Sequence, residues 1–80
     1  MDEYYLNLAE ALQGRLAVIA DHDLRMQDPA THLAKLQSAS ERIEKLKTKL
    51  PRNADPMLAH YLQRSSLTKA LEFVQNHYLR

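Results

Sequence analysis

Four histidines are the residues of this chain with the most obvious capacity to bind a metal ion, and their spacing argues against it. His22, His32, His60 and His77 never stand four residues apart, and no HxxxH, HExxH or ExxH pattern occurs. A helix presents a pair of metal ligands only when both lie on one face. His32 falls on the apolar seam of a predicted helix, where we expect a partly buried imidazole that forms a hydrogen bond. The sequence predicts no metal site and no cofactor.

The run Asp21-His22-Asp23 resembles a set of metal ligands but cannot act as one on a helix. Consecutive helical residues point about 100° apart, so these side chains do not converge on one ion. Asp23 also falls on an apolar stripe, where burial would raise the pKa of its carboxyl. We favour the alternative that the helix frays at this point and leaves Asp23 in water.

Catalytic motifs are absent from the sequence. There is no cysteine, no GxSxG and no P-loop, and a single glycine excludes a glycine-rich phosphate loop. Arg15 and Arg64 are the only candidates for an inward-facing cation that would bind an anionic substrate. We therefore expect no catalytic residues, and a small all-α enzyme is the weakest of the three functions considered.

The first alternative to an interaction module is a weakly basic nucleic-acid-binding or regulatory accessory protein. Nucleic-acid contact would depend on the basic residues Lys45, Lys49 and Arg52. Cations at the end of a helix are already explained by the helix dipole, which is negative there. The sequence pI of about 8.1 lies below the value of about 9 typical of nucleic-acid-binding domains. The sequence thus argues against nucleic acid as the partner.

The composition indicates one small helical domain spanning residues 1–80. Fourteen leucines stand against two valines and two isoleucines, with one glycine and three prolines, which favours helices over strands. Residues 1–30 carry six acidic against two basic side chains, and residues 31–80 carry four against nine. The N-terminal segment does not resemble a signal peptide, and no apolar run approaches the roughly 18 residues of a membrane span. We expect a soluble, cytoplasmic protein that does not contact a membrane.

Two Asp-Pro pairs predict where helices start, because aspartate caps a helix and proline suits its first turn. Asp28-Pro29 opens one helix that Pro51 closes, and Asp55-Pro56 opens the next. Together with the apolar periodicity before Asp28, they predict helices at about 2–27, 29–50 and 56–79 in an up-down-up three-helix bundle. The predicted core consists of Tyr5, Leu8, Leu12, Leu16, Ile19, Leu33, Leu36, Ile43, Leu46, Leu50, Leu58, Leu62 and Leu71.

The third helix changes its apolar face at Arg64-Ser65-Ser66. One interpretation is a break there, with Ser66 capping a short fourth helix over Leu67–Leu79. We favour one continuous helix with two apolar faces, because residues 63–66 contain neither glycine nor proline.

The first and the third predicted helices each carry more apolar surface than packing against the second helix would bury. The first helix has a second apolar line at intervals of seven residues, which makes it either the central helix of the monomer or a contact with another chain. A non-enzymatic interaction module, most simply a homodimer, would use these faces, with an unidentified protein as the other possible partner. The candidate interface residues are Tyr4, Ala11, Val18, Leu67, Leu71, Val74 and Tyr78.

Overall fold

The computed structural model of the protein describes residues 3 to 79, and every regular element within them is a helix. The prediction of an all-α fold is confirmed. The described residues form five successive helices, where three were predicted. They are α1 (Glu3–Ala20), α2 (His22–Gln27), α3 (Pro29–Thr48), α4 (Pro56–Gln63) and α5 (Leu67–His77). The predicted helical residue Asp2 lies outside the described residues.

Aspartate side chains cap the starts of α3 and α4, as the two Asp-Pro pairs predict. The Asp28 carboxylate accepts a hydrogen bond from the backbone N–H of Thr31 at 3.2 Å. The Asp55 carboxylate accepts one from the N–H of Met57 at 2.9 Å. Each bond satisfies an amide that has no partner inside its own helix.

A third aspartate cap divides the predicted first helix, so a single helix over 2–27 is wrong. The Asp21 carboxylate accepts from the N–H of Leu24 at 3.1 Å and starts the six-residue helix α2. The backbone N–H of Asp28 then donates to the carbonyl of Leu24 at 2.8 Å and ends it. Asp21 therefore has a structural role in turning the chain, and Asp23 is exposed on the first turn of α2.

The predicted third helix is also divided, at Ser65, so the favoured continuous helix is wrong and the alternative of a break is right. Ser65 has a φ of 57°. Its N–H donates to the carbonyl of Leu62 at 3.1 Å, and the N–H of Ser66 donates to that of Tyr61 at 2.9 Å. This pair of bonds is the Schellman ending of a helix, which needs one residue in the left-handed region. The Ser66 side chain forms no capping bond.

Replacing Ser65 with glycine is expected to raise the free energy of unfolding by about 0.5–1 kcal/mol, because a side chain is disfavoured at positive φ. Chemical denaturation followed by circular dichroism measures the change. The matched control is Ser66→Gly, where φ is −80° and glycine only adds backbone freedom to the unfolded chain. An equal effect of the two substitutions would show that the left-handed conformation of Ser65 carries no strain.

Contacts between helix ends define the topology. The Tyr4 hydroxyl donates to the carbonyl of Leu46 at 2.6 Å, so the start of α1 lies beside the end of α3. The rings of Tyr5 and Tyr78 stack with centroids 3.7 Å apart, which makes α5 antiparallel to α1 as well. The N–H of Asp55 donates to the Tyr78 hydroxyl at 2.9 Å, so α4 starts where α5 ends. Apart from α2, the helices run up-down-up-down, and the predicted up-down-up bundle is wrong.

The core occupies one half of this elongated molecule. Its buried apolar residues come from the first part of α1, the end of α3, and α4 with α5; they are Tyr5, Leu8, Ala9, Ala11, Leu12, Ile43, Leu58, Leu62, Ala70 and Val74. At about 1.5 Å per residue, α1 and α3 are about 27 and 30 Å long, whereas α4 and α5 are only about 12 and 16 Å. The α4–α5 hairpin therefore covers about half of the α1–α3 hairpin.

This difference in length explains where the predicted core is wrong. Ile19 and Leu33 are 44% and 55% exposed, because Ile19 lies at the edge of the corner between α4 and α5 and Leu33 lies beyond it. Five further predicted core residues are half-buried: Leu16, Leu36, Leu46, Leu50 and Leu71. The other six are buried as predicted.

Candidate interaction surface

The half of the α1–α3 hairpin that α4 and α5 leave uncovered is the candidate functional surface, and we call residues 16–36 the open half. Within it only His32 is buried. Large apolar side chains are exposed on each of its helices: Ile19 on α1, Leu33 on α3, and Met26 on α2, which is 81% exposed. Apolar residues exposed together at one end of a small protein are typical of a contact surface.

His32 joins the two long helices inside the open half. Its Nε2 atom lies 2.9 Å from the carbonyl oxygen of Val18. A carbonyl oxygen can only accept, so Nε2 carries the proton in this hydrogen bond. The expectation of a buried, hydrogen-bonded imidazole is confirmed, and the contact shows that His32 serves the packing of α1 on α3.

A groove lies where the open half meets the corner between α4 and α5. It consists of a crevice of about 290 Å³ and an adjoining, shallower depression of about 430 Å³. Ile19, Ser65 and Leu67 line both parts. Leu33 precedes the groove residue Ser40 by seven residues, or about two turns, and therefore continues the same face of α3 beyond the groove.

Cations outnumber carboxylates along the walls of the groove. Arg15, Lys47 and Lys69 line it, together with a single acidic residue, Glu44, which forms an ion pair with Lys47 at 3.2 Å. The Arg15 guanidinium donates to the carbonyl of Leu36 at 3.2 Å and to the Ser40 hydroxyl, which fixes it against α3.

The turn between α1 and α3 carries the opposite charge, and we call residues 21–28 the acidic corner. It contains Asp21, Asp23 and Asp28 against Arg25, all exposed. The hydroxyl of Thr31 donates to Asp28 at 2.6 Å, and this bond together with the Thr31 backbone N–H holds the pKa of the Asp28 carboxyl below its usual range. The folded state therefore favours the ionised carboxyl of Asp28, and its contribution to stability is lost as the pH falls through about 4 and below.

The interface residues predicted from the first helix are partly or fully covered within the chain. Ala11 is buried, Tyr4 and Val18 are half-buried, and the Tyr4 hydroxyl donates to α3. Helix α1 contacts both α3 and α5. These two contacts within the monomer are what the first of the two alternatives, a central helix, expects.

The interface residues predicted from the last helix are mostly covered as well. Val74 is buried, Leu71 is half-buried, and the Tyr78 ring stacks on Tyr5. Leu67 is the member of the predicted set that lines the groove. Ile19 and Leu33, which belong to the open half, were predicted to lie in the core.

The other candidate residues lie apart from the groove or have local roles. Lys45, Lys49 and Arg52 are exposed around the end of α3, and Arg64 is exposed at the end of α4. Arg15 is the anionic-substrate candidate that does line the groove. His22, His60 and His77 are exposed. No group of three or more metal-ligating side chains occurs within residues 3 to 79.

The chain matches no protein-family model, no curated protein and no solved structure. No helix in the described part of the chain is long and apolar enough to cross a membrane.

Proposed function

We propose that this protein is a small non-enzymatic interaction module that forms a homodimer through its open half. The observation that supports this proposal is the unequal length of its two hairpins. The α1–α3 hairpin extends about 14 Å beyond α4–α5, and this extension exposes Ile19, Leu33 and Met26.

A second copy of the chain can supply the helices that are missing beside the exposed part of α1 and α3. Where α4 and α5 end, two more helices would be needed to complete a four-helix arrangement around the extension of α1 and α3. The open half of another molecule supplies two such helices. In a dimer with a two-fold axis every contact occurs twice, so a small apolar patch on each chain contributes twice to the free energy of dimerisation.

The energetics of the monomer favour such an association. A chain of 80 residues is close to the size at which a single core is only just sufficient. Each large apolar side chain that becomes fully buried contributes about 1.5–3 kcal/mol relative to full exposure, and Ile19 and Leu33 would contribute part of this in both copies. This gain opposes the loss of translational and rotational freedom on association.

Light scattering over a range of concentrations tests the proposal. We expect a mass of twice the 9.3 kDa of the monomer, and a return to the monomer mass in the double variant Ile19→Glu/Leu33→Glu, because two carboxylates would be desolvated in the interface.

The matched control is Met57→Glu, since Met57 is 47% exposed on α4, outside the open half. It should leave the dimer intact, and circular dichroism should show unchanged helicity in both variants. A wild-type mass of 9.3 kDa at every concentration would rule out the homodimer.

A further inference from the structure

We infer that the two copies lie antiparallel about a two-fold axis near Ile19, with the acidic corner of each copy against the cationic groove of the other. The inference rests on the proposed homodimer and specifies its arrangement. It follows from how charge is distributed on the two sides of Ile19.

The groove cations all lie on the side of Ile19 that faces the core. Arg15 precedes Ile19 by about one turn of α1. Helices α3 and α5 run antiparallel to α1, with Leu46 beside Tyr4 and Tyr78 beside Tyr5. This register places Lys47, near the end of α3, and Lys69, near the start of α5, on that side too.

The carboxylates of the acidic corner lie on the other side of Ile19. Asp21 and Asp23 follow it directly in the chain, and Asp28 closes the corner at the start of α3. The groove and the open half together therefore form a surface with a cationic and an anionic end, separated by an apolar middle that contains Ile19.

A two-fold axis perpendicular to α1 at this apolar middle exchanges the two ends. Each acidic corner then faces the partner's groove, where Arg15 and Lys69 remain as cations beside the ion pair of Lys47 with Glu44. A parallel arrangement would set corner against corner and groove against groove, which like charges disfavour. The apolar residues meet in either case, so charge selects the antiparallel dimer.

Asp23 and Lys69 are the best probes of this arrangement. Both side chains are exposed, and neither has a hydrogen bond or an ion pair among the described residues. Asp21, by contrast, caps α2, and Arg15 is held by Leu36 and Ser40. Reversing the charge of Asp23 or Lys69 therefore alters the proposed contact without removing a bond that the monomer uses.

The test uses two charge-reversal variants, each of which should dimerise weakly alone but should form a stable heterodimer with the other. In Asp23→Lys alone and in Lys69→Glu alone, both symmetric contacts bring like charges together, and the dimer dissociation constant at low salt should rise about tenfold. An equimolar mixture can form a heterodimer in which both contacts join opposite charges. Its dissociation constant should return to within about threefold of the wild-type value. Lys49→Glu is the control with the same change in charge, and it should have little effect because Lys49 lies at the far end of α3.

Disulfide cross-linking provides a second measurement that does not depend on α2. The sequence contains no cysteine, so Ile19→Cys adds a single thiol, which near the axis faces its own copy in the partner. With oxidised glutathione added as the oxidant, we expect rapid disulfide-linked dimerisation of Ile19→Cys and slow reaction of the control Met57→Cys.

The outcomes separate this inference from the proposed homodimer. A wild-type dimer that is insensitive to both charge reversals, or a mixture that remains as weak as its components, would overturn the antiparallel arrangement and leave the homodimer standing. Equal cross-linking rates for the two cysteine variants would also overturn it. A wild-type monomer at all concentrations would overturn both.

Discussion

Replacing Leu12 with alanine is expected to lower the free energy of unfolding by about 3 kcal/mol, within the range for leucine deleted from a packed core. Leu12 is fully buried on the face of α1 that the other helices cover. A chain of this size has a total stability of roughly 4–12 kcal/mol, so the loss is a large fraction of it. Urea denaturation followed by circular dichroism measures the change.

The control for this substitution is Leu6→Ala in the same helix. Leu6 is 42% exposed, so its truncation should cost less than about 1 kcal/mol. Both variants should be compared at one protein concentration, because self-association would add to the apparent stability. Equal losses at the two positions would contradict the placement of the core between α1 and the α4–α5 hairpin.

Helix starts were predictable from the sequence where they depend on local chemistry. Asp28-Pro29 and Asp55-Pro56 each combine a side-chain acceptor with a residue whose φ is already helical. Asp21 provides a side-chain acceptor but no proline follows it. The apolar stripe continues through this position, so the sequence predicted one helix and not the break before α2.

The break at Ser65 had no signal of the usual kind. Helices commonly end at a glycine in the left-handed conformation, and here a serine adopts that conformation instead. The change of apolar face around Ser65 was the better indicator. It corresponds to the real turn between α4 and α5, whose hydrogen bonds to the carbonyls of Tyr61 and Leu62 compensate for the strained backbone.

The candidate interaction surface was harder to predict than the helices. Periodicity identified the apolar faces of Ile19 and Leu33, but it does not say which neighbouring element covers a face or how far that element extends. Coverage depends on the lengths of α4 and α5, and these lengths depend on the break at Ser65. Because the break at Ser65 was not predicted, the third helix was expected to be long enough to cover Ile19 and Leu33. Both residues were therefore assigned to the core, although they are exposed.

Ala11 provides the second large expected effect, because its environment distinguishes a central α1 from an interface on α1. It lies seven residues after Tyr4 and four before Arg15, and both of these side chains donate hydrogen bonds to α3, so the Ala11 methyl group faces α3 between them. Leucine at this buried position would force the two helices apart. We expect a loss of about 1–3 kcal/mol in the free energy of unfolding.

Gln13→Leu is the control for Ala11→Leu, since Gln13 is exposed on the same helix and lies outside the open half, and it should change stability by less than about 0.5 kcal/mol. Denaturation reports the difference between the two variants, and light scattering reports whether association changes. If Ala11 lay at an interface between chains, Ala11→Leu would weaken the dimer and leave the monomer's stability intact. If α1 is the central helix of the monomer, Ala11→Leu should lower the free energy of unfolding, and the folded variant should still form the dimer.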